Sequence, residues 1–323
     1  MAYGVAELSH ELEDIGMLGL VLFALWASGV AGGVVKAPLV GEIVCGMLLG
    51  PHCAGVVPYD KAALLVGNVG LVLLVMEGGL SVQLGELRRV GRVATAIAAT
   101  GTLLPCLLGM GTMCALGYST SSGLAAGVAL SSTSIGMATK MLQDAGELAT
   151  PLGALICVAA MVDDVLSLVI LAVMTSLAGD GERSGGGAAA AVLAPVGVSA
   201  AVVLLGYASV NLTPKALEAL CAGRGEAFRE AAVLGGMLAL TLGLTVGAGY
   251  VGSTHLLGAF AGGMSFAKVP GAVELWERHA GVSGWLSSVF FLGIGMQIPA
   301  GDLFTGDGVG VGLLYTVPAV LGK

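Results

Sequence analysis

Apolar residues run along this chain in long blocks separated by brief polar breaks. A helix needs about 20 mostly apolar residues to cross a bilayer. Windows of that size give eleven segments, at residues 15–35, 38–57, 63–83, 93–116, 121–139, 151–178, 188–210, 231–251, 254–267, 285–300 and 308–321. The last three are short, so they are read as broken, tilted or incomplete spans. Two connections are long, the Gly-rich stretch from Gly179 to Gly187 and the polar segment 211–230.

Composition agrees with the blocks. Of 323 residues, 56% are hydrophobic and 11% charged, with 54 glycines and a mean hydropathy of +0.96. Soluble domains carry roughly 25% charged residues, so a water-facing surface could hardly be built. Glycine-rich apolar chains suit helices that approach closely in a membrane. A soluble enzyme and a disordered chain are excluded. The net charge of −8 leaves no basic surface for nucleic acid. The six cysteines form no CxxC pair and are read as small buried hydrophobes. Glu7, Glu11, Glu13 and Asp14 open the chain without a basic residue, the opposite of a signal or transit peptide.

Basic residues set the orientation. Lys36, Arg88, Arg89, Arg92, Lys140, Lys215, Arg224, Arg229, Lys268 and Arg278 fall in loops on one side, and only Lys61 and Arg183 on the other. Ten against two makes the first side cytoplasmic and the N-terminus extracytoplasmic. A repeat also shows. Gly41 to Met47 and Gly258 to Met264 both read G-x4-G-M, 217 residues apart, on segments of opposite sense. That is the arrangement of an inverted repeat, frequent in secondary transporters.

Asp163 and Asp164 stand in the middle of the apolar run from Pro151 to Ile170, with no Lys or Arg within a turn or two. Each costs roughly 2.5–3.5 kcal/mol at a helix centre, so the pair is read as functional. Desolvation and mutual repulsion both favour neutralisation, by a proton or by a bound monovalent cation. Competition of the two for the same oxygens is already an exchange mechanism, provided the site moves across only when neutralised. Neighbours on a helix differ by about 100°, so the two carboxylates need not share one role. Segment five carries Ser131-Ser132-Thr133-Ser134-Ile135-Gly136. This reads equally as a helix break lining an ion site and as hydroxyls bonding back to their own helix.

These residues resemble the sodium/proton exchanger family of cation:proton antiporters, two-aspartate type. The carriers of the resemblance are Gly41-Glu42 with Gly46 and Gly50-Pro51, Val69 to Leu74 with Gly79-Leu80, and Ser132-Thr133-Ser134 with Leu142. Val162-Asp163-Asp164-Val165, Gly258 to Met264, Phe290 to Met296, and Val320 to Lys323 complete them. The resemblance implies an all-α, polytopic transmembrane helical bundle, an inverted-repeat antiporter fold with broken helices, of whose thirteen spans about eleven are present. It implies Asp164 as main carrier of cation and proton, Asp163 as contributor, Thr133 and Ser134 beside the ion, and Lys323 as core counter-ion. The ion is Na⁺ or K⁺, no cofactor takes part, and members are homodimers in the lipid bilayer. The expected organisation is an extracytoplasmic N-terminus 1–14, then a first six-helix repeat 15–178 whose core helices are 121–139 and 151–178. A linker helix and cytoplasmic loop 179–230 and a second repeat 231–323 follow. The offset of 217 would set the counterpart of the Thr133 break near position 350. The chain is therefore expected to be a C-terminally truncated piece that does not transport as written. Two departures stand out: Ser81 occupies a position often acidic, and Glu77 lies one turn earlier.

Secondary candidates remain. Glu42, read as close to an external end, is taken chiefly as a structural hydrogen-bonding group. Glu77 is read either as a further proton-linked site or as a partner of backbone amides. Lys140 with Asp144 is a solvated i,i+4 pair or part of a cytoplasmic funnel, and His255 is a solvated or capping residue. Trp26, Trp276 and Trp285 suit interfacial or packing roles. The protein is read as a non-enzyme, an integral multi-pass membrane protein whose partners are a monovalent cation, protons and lipid, with no nucleic acid. Alternatives are a channel-like or glutathione-regulated-type K⁺ efflux protein and a non-transporting membrane sensor. An intramembrane aspartyl protease fits badly, since its two carboxylates must come from different helices.

Overall fold

A computed structural model describes residues 2–34, 37–82, 84–131, 147, 150–179, 188–303 and 305–322. Among these the regular structure is helical: α1 Ala2–Val34, α2 Pro38–Leu49, α3 Asp60–Leu80, α4 Leu84–Ala115, α5 Thr120–Ser131 and α6 Pro151–Gly179 come first. Then follow α7 Ala188–Cys221, α8 Glu226–Tyr250, α9 His255–Met264, α10 Ala272–Met296, the single turn α11 Ala300–Leu303, and α12 Gly306–Leu321. All eleven apolar segments overlap a helix. The fold is an all-α polytopic bundle.

By length and composition six helical stretches can cross a bilayer: Leu12–Val34, Asp60–Leu80, Arg89–Ala115, Pro151–Met174, Leu193–Cys221 and Glu226–Tyr250. A seventh is added if Ala272–His279 and Gly281–Met296, bent by 63°, form one span. Large apolar side chains such as Phe23, Leu65, Leu107 and Leu204 stand exposed along these helices, as lipid rather than water as solvent requires. This is an integral multi-pass membrane protein.

Four expected boundaries are corrected. The second segment was expected to reach residue 57, but α2 ends at Leu49. Gly50 leaves the helix at φ −70° and ψ 174°, donating its N–H to Gly46 O, and Pro51 cannot continue it. The stretch 1–14 is helical and continuous with the first span, because α1 begins at Ala2 and carries its acidic residues on the helix. Segment 211–230 is not a loop: α7 continues through Pro214 to Cys221, and a short turn with Gly223 at φ +74° leads into α8. Finally, α10 starts at Ala272 instead of residue 285. Its first turns hold Glu274, Glu277, Arg278 and His279, charges that an apolar window passes over but a helix tolerates.

The chain forms two compact units, Met1–Leu74 with Glu277–Val311, and Val75–Trp276 with Gly312–Lys323. The first has a core of Val21, Leu25, Cys45, Leu292 and Met296. In the second, Val82, Val210, Phe260 and Met264 pack together, as do Ala94, Val158 and Ala159. Each unit contains the same glycine-on-carbonyl contact. In the first, Gly46 of α2 lies against the Leu292 carbonyl of α10, and Gly295 against that of Ile43. In the second, Gly263 of α9 lies against the Met76 carbonyl of α3, and Gly79 against that of Phe260. Positions 43 and 46 become 260 and 263 on adding 217, and 76 and 79 become 292 and 295 on adding 216. One contact is therefore made twice, which gives the G-x4-G-M echo a physical cause: a side chain at either glycine would collide with backbone. The α1–α2 and α8–α9 hairpins repeat too, with Gly41 on Ser28 O and Gly258 on Leu244 O. Within the first unit α3 and α10 pass antiparallel, Gly67 by Phe290 and Gly70 by Leu286. Equivalent helices running in opposite senses are the mark of an inverted repeat.

Candidate ion-binding site

Helix α6 runs without interruption from Pro151 to Gly179, so Asp163 and Asp164 lie near its middle. The stretch forms a helix because its interior is Leu, Ala, Met and Val without proline, and Pro151 at its first position needs no N–H partner. Asp163 is 3% exposed. Of Asp164 the structure describes the place on the helix.

The side chain that meets Asp163 is Thr102 of α4, which is itself fully buried. Its Oγ1 donates to Asp163 Oδ1 and also lies 2.6 Å from the Ala98 carbonyl oxygen. A hydroxyl carries one proton, so the two bonds belong to two states. With Asp163 ionised, Thr102 gives its proton to the carboxylate. With Asp163 protonated, the carboxyl donates to Oγ1 and the hydroxyl turns to Ala98 O. Thr102 can thus satisfy the carboxyl in either state. Ser167, one turn beyond Asp163 on the same face, has a buried Oγ with no hydrogen-bond partner among the described residues. Thr102 and Asp163 bring a hydroxyl and a carboxyl together across two helices. Among the described residues no cluster of three His, Cys, Asp or Glu assembles.

Thr102 and Ser167 were missed in the sequence. Threonine and serine are ordinary inside spanning helices, where they bond back to the preceding turn, so neither announces itself. Thr133, Ser134, Lys140 with Asp144, and Lys323 lie outside the described residues. Ser131, just before them, ends α5 buried, its Oγ donating to Val128 O, which is the back-bonding alternative at that position.

Glu77, half-buried on α3, accepts a hydrogen bond at 3.3 Å from the indole N–H of buried Trp276. One partner of Glu77 is thus a side chain, and Trp276 is buried. Glu42 is the fifth residue of α2, next to the connection containing Lys36. Glu42 Oε1 accepts from Ser288 Oγ at 2.7 Å. His255 is not the cap of α9; Thr254 is, accepting from Leu257 N at 3.2 Å.

A family model described as sodium/hydrogen exchanger, transmembrane, matches residues 14–323. The chain is 25% identical to the Na(+)/H(+)-K(+) antiporter GerN of Bacillus cereus, over 97% of this chain and 78% of that protein. It is 26% identical to the high-affinity Na(+)/H(+) antiporter NhaS3 of Synechocystis, over 90% and 71%. To cation/H(+) antiporter 17 of Arabidopsis thaliana it is 29% identical, over 88% of this chain and 36% of the plant protein. A multi-pass helical bundle with two adjacent aspartates in the middle of an apolar helix, matched to one family model from residue 14 onward, belongs to the transmembrane sodium/hydrogen exchanger family.

Proposed function

We propose that this chain is a secondary active transporter that exchanges a monovalent cation, Na⁺ or K⁺, for protons by alternating access. The observation that carries the reading is Asp163, buried at mid-helix beside Asp164 and hydrogen-bonded by a hydroxyl able to follow its protonation. An intramembrane carboxylate is costly and belongs to an ion or proton path. The names of the relatives, all antiporters, favour exchange over channel-like efflux.

In this reading Asp164 is the main carrier, and Asp163 tunes it and pairs with Lys323 when the cation is absent. Thr133 and Ser134 supply further oxygens. Proton and cation are alternatives at the same carboxylates, so each drives the other out. The repeats 15–178 and 231–323 supply the elements that move against one another, the N-terminus lies outside, and the working form is a homodimer. No catalytic step and no cofactor enters.

The test is transport in proteoliposomes under an imposed pH gradient. Na⁺- or K⁺-dependent proton movement should be lost in Asp164→Asn. In the unaltered protein the apparent KM for the cation should rise as pH falls, because protons compete for the oxygens. Transport unchanged in Asp164→Asn would remove the assignment.

A further inference from the structure

Hydroxyls buried in these helices commonly turn back on their own backbone, as Ser131 does to Val128 O, Ser265 to Ala261 O and Ser287 to Ser283 O. That bond is open to any serine inside a helix. Ser167 of α6 does not take it. Its Oγ is buried with no hydrogen-bond partner among the described residues, an expensive condition for a hydroxyl. Thr241 and Thr245 of α8 share the condition, lying against Gly262 and Gly258 of α9. What separates Ser167 from them is its place.

Helix α6 is uninterrupted, so directions around it follow from about 100° per residue. Four residues carry position 167 about 40° past position 163, and three leave it about 60° short of position 164. Ser167 therefore stands between the directions of the two aspartates, one turn along. Its apolar neighbours belong elsewhere: Val162 packs with Ala94 and Val158, and Val165 and Leu168 pack against the cluster of Val210 and Phe260. Thr102 answers Asp163 from α4, whereas the Ser167 oxygen is left for whatever the two acids hold. We propose that Ser167 Oγ is a ligand of the transported cation and sets which alkali ion is preferred, an inference that rests on the transport reading above. A proton needs one oxygen, but an alkali ion must recover several in place of its water. An ion carried by alternating access is enclosed at one stage, so a buried oxygen suits it. Losing the hydroxyl should weaken cation binding, more for Na⁺ than for K⁺ because the smaller ion gives up more hydration, and leave proton binding in place.

The test measures binding of radioactive sodium, and of rubidium in place of K⁺, to the whole chain in detergent, alongside transport in proteoliposomes. Ser167→Ala should raise the Kd of the bound ion roughly tenfold, the scale of one contact to a charge. It should raise the apparent KM for the cation with the maximal rate retained, and the pH dependence at saturating cation should not move. Ser167→Thr keeps the oxygen and should restore both constants. Ser167→Cys keeps the shape but offers a soft sulfur, a poor ligand for alkali ions, so it should behave like alanine; a packing role would leave it neutral. The cysteine variant decides the matter if Ser167→Ala does not fold. Equal affinities in the unaltered, alanine and cysteine chains, or a threonine variant as weak as alanine, would overturn the assignment. Binding that depends on Ser167 without cation-coupled proton movement would sink the transport reading and leave the ligand in place. An unaltered chain that binds neither ion would end both.

Discussion

Two adjacent glycines near the end of α3 test the repeated helix contact with almost no confounding. A Cβ at Gly78 would meet no atom within 4 Å, whereas one at Gly79 would stand 2.9 Å from Met264 N and from Phe260 C, and closer still to Phe260 O. Those are backbone atoms and cannot swing away. Replacing either glycine by alanine gains the same helix-propensity term, about 0.5–1 kcal/mol. The difference between the variants therefore isolates the collision. Overpacking costs typically 1–3 kcal/mol, and 1 kcal/mol shifts Tm by about 2–4 °C in chains of 150–250 residues. Gly79→Ala should melt roughly 2–12 °C below Gly78→Ala, and Gly78→Ala at or slightly above the unaltered protein.

The assay is thermal unfolding in detergent, followed with a thiol-reactive dye that reports exposure of buried Cys45, Cys106 and Cys157. Gly263→Ala, which places a Cβ against the Met76 carbonyl of the same helix pair, should behave like Gly79→Ala. If Gly78→Ala and Gly79→Ala fell equally, the register of α3 on α9, and with it the repeat, would be wrong.

Removing the hydroxyl at 102 should impair transport while leaving the fold intact: Thr102→Val is expected to lower the transport rate about tenfold, and Thr102→Ser to restore most of it, in the proteoliposome assay. Equal activity of the valine and serine variants would dismiss the hydroxyl's role. Trp276→Phe removes the N–H given to Glu77 and should cost about 1 kcal/mol or more of thermal stability; an unchanged Tm would show that bond to be idle. Single-cysteine chains check the orientation. Exposed Cys53 should react with an impermeant maleimide from outside intact cells, and Cys221, at the far end of α7, only after permeabilisation. The reverse pattern would invert the topology.

Much of this was readable in one dimension, for physical reasons. Lipid cannot hydrogen-bond a backbone, so spanning segments must be long apolar helices; each of the eleven apolar blocks overlaps a helix, and six of those helices are long and apolar enough to cross. Charge in the same medium is costly, so Asp163 and Asp164 were conspicuous without any neighbour being known. The repeat left a trace because glycine alone fits where two backbones touch, and Gly46 and Gly263 do that on carbonyls 216 residues apart. Helix ends were not legible from apolar windows: the second block was carried to residue 57 although Gly50-Pro51 ends the helix at Leu49. The charged start of α10 and the polar end of α7 depend on what packs beside them, and no window of hydropathy contains that.

The hydroxyls were decided by tertiary structure. Thr102 and Asp163 are 61 residues apart, and Glu42 and Ser288 are 246 apart. Serine and threonine look alike in sequence whether they bond to their own helix or to a carboxylate on another. The sequence determined that acids lie in the membrane, because burial of charge is a local cost set by neighbours along the chain. Which group answers each acid is a matter of helix packing, and only the folded chain brings those partners within reach.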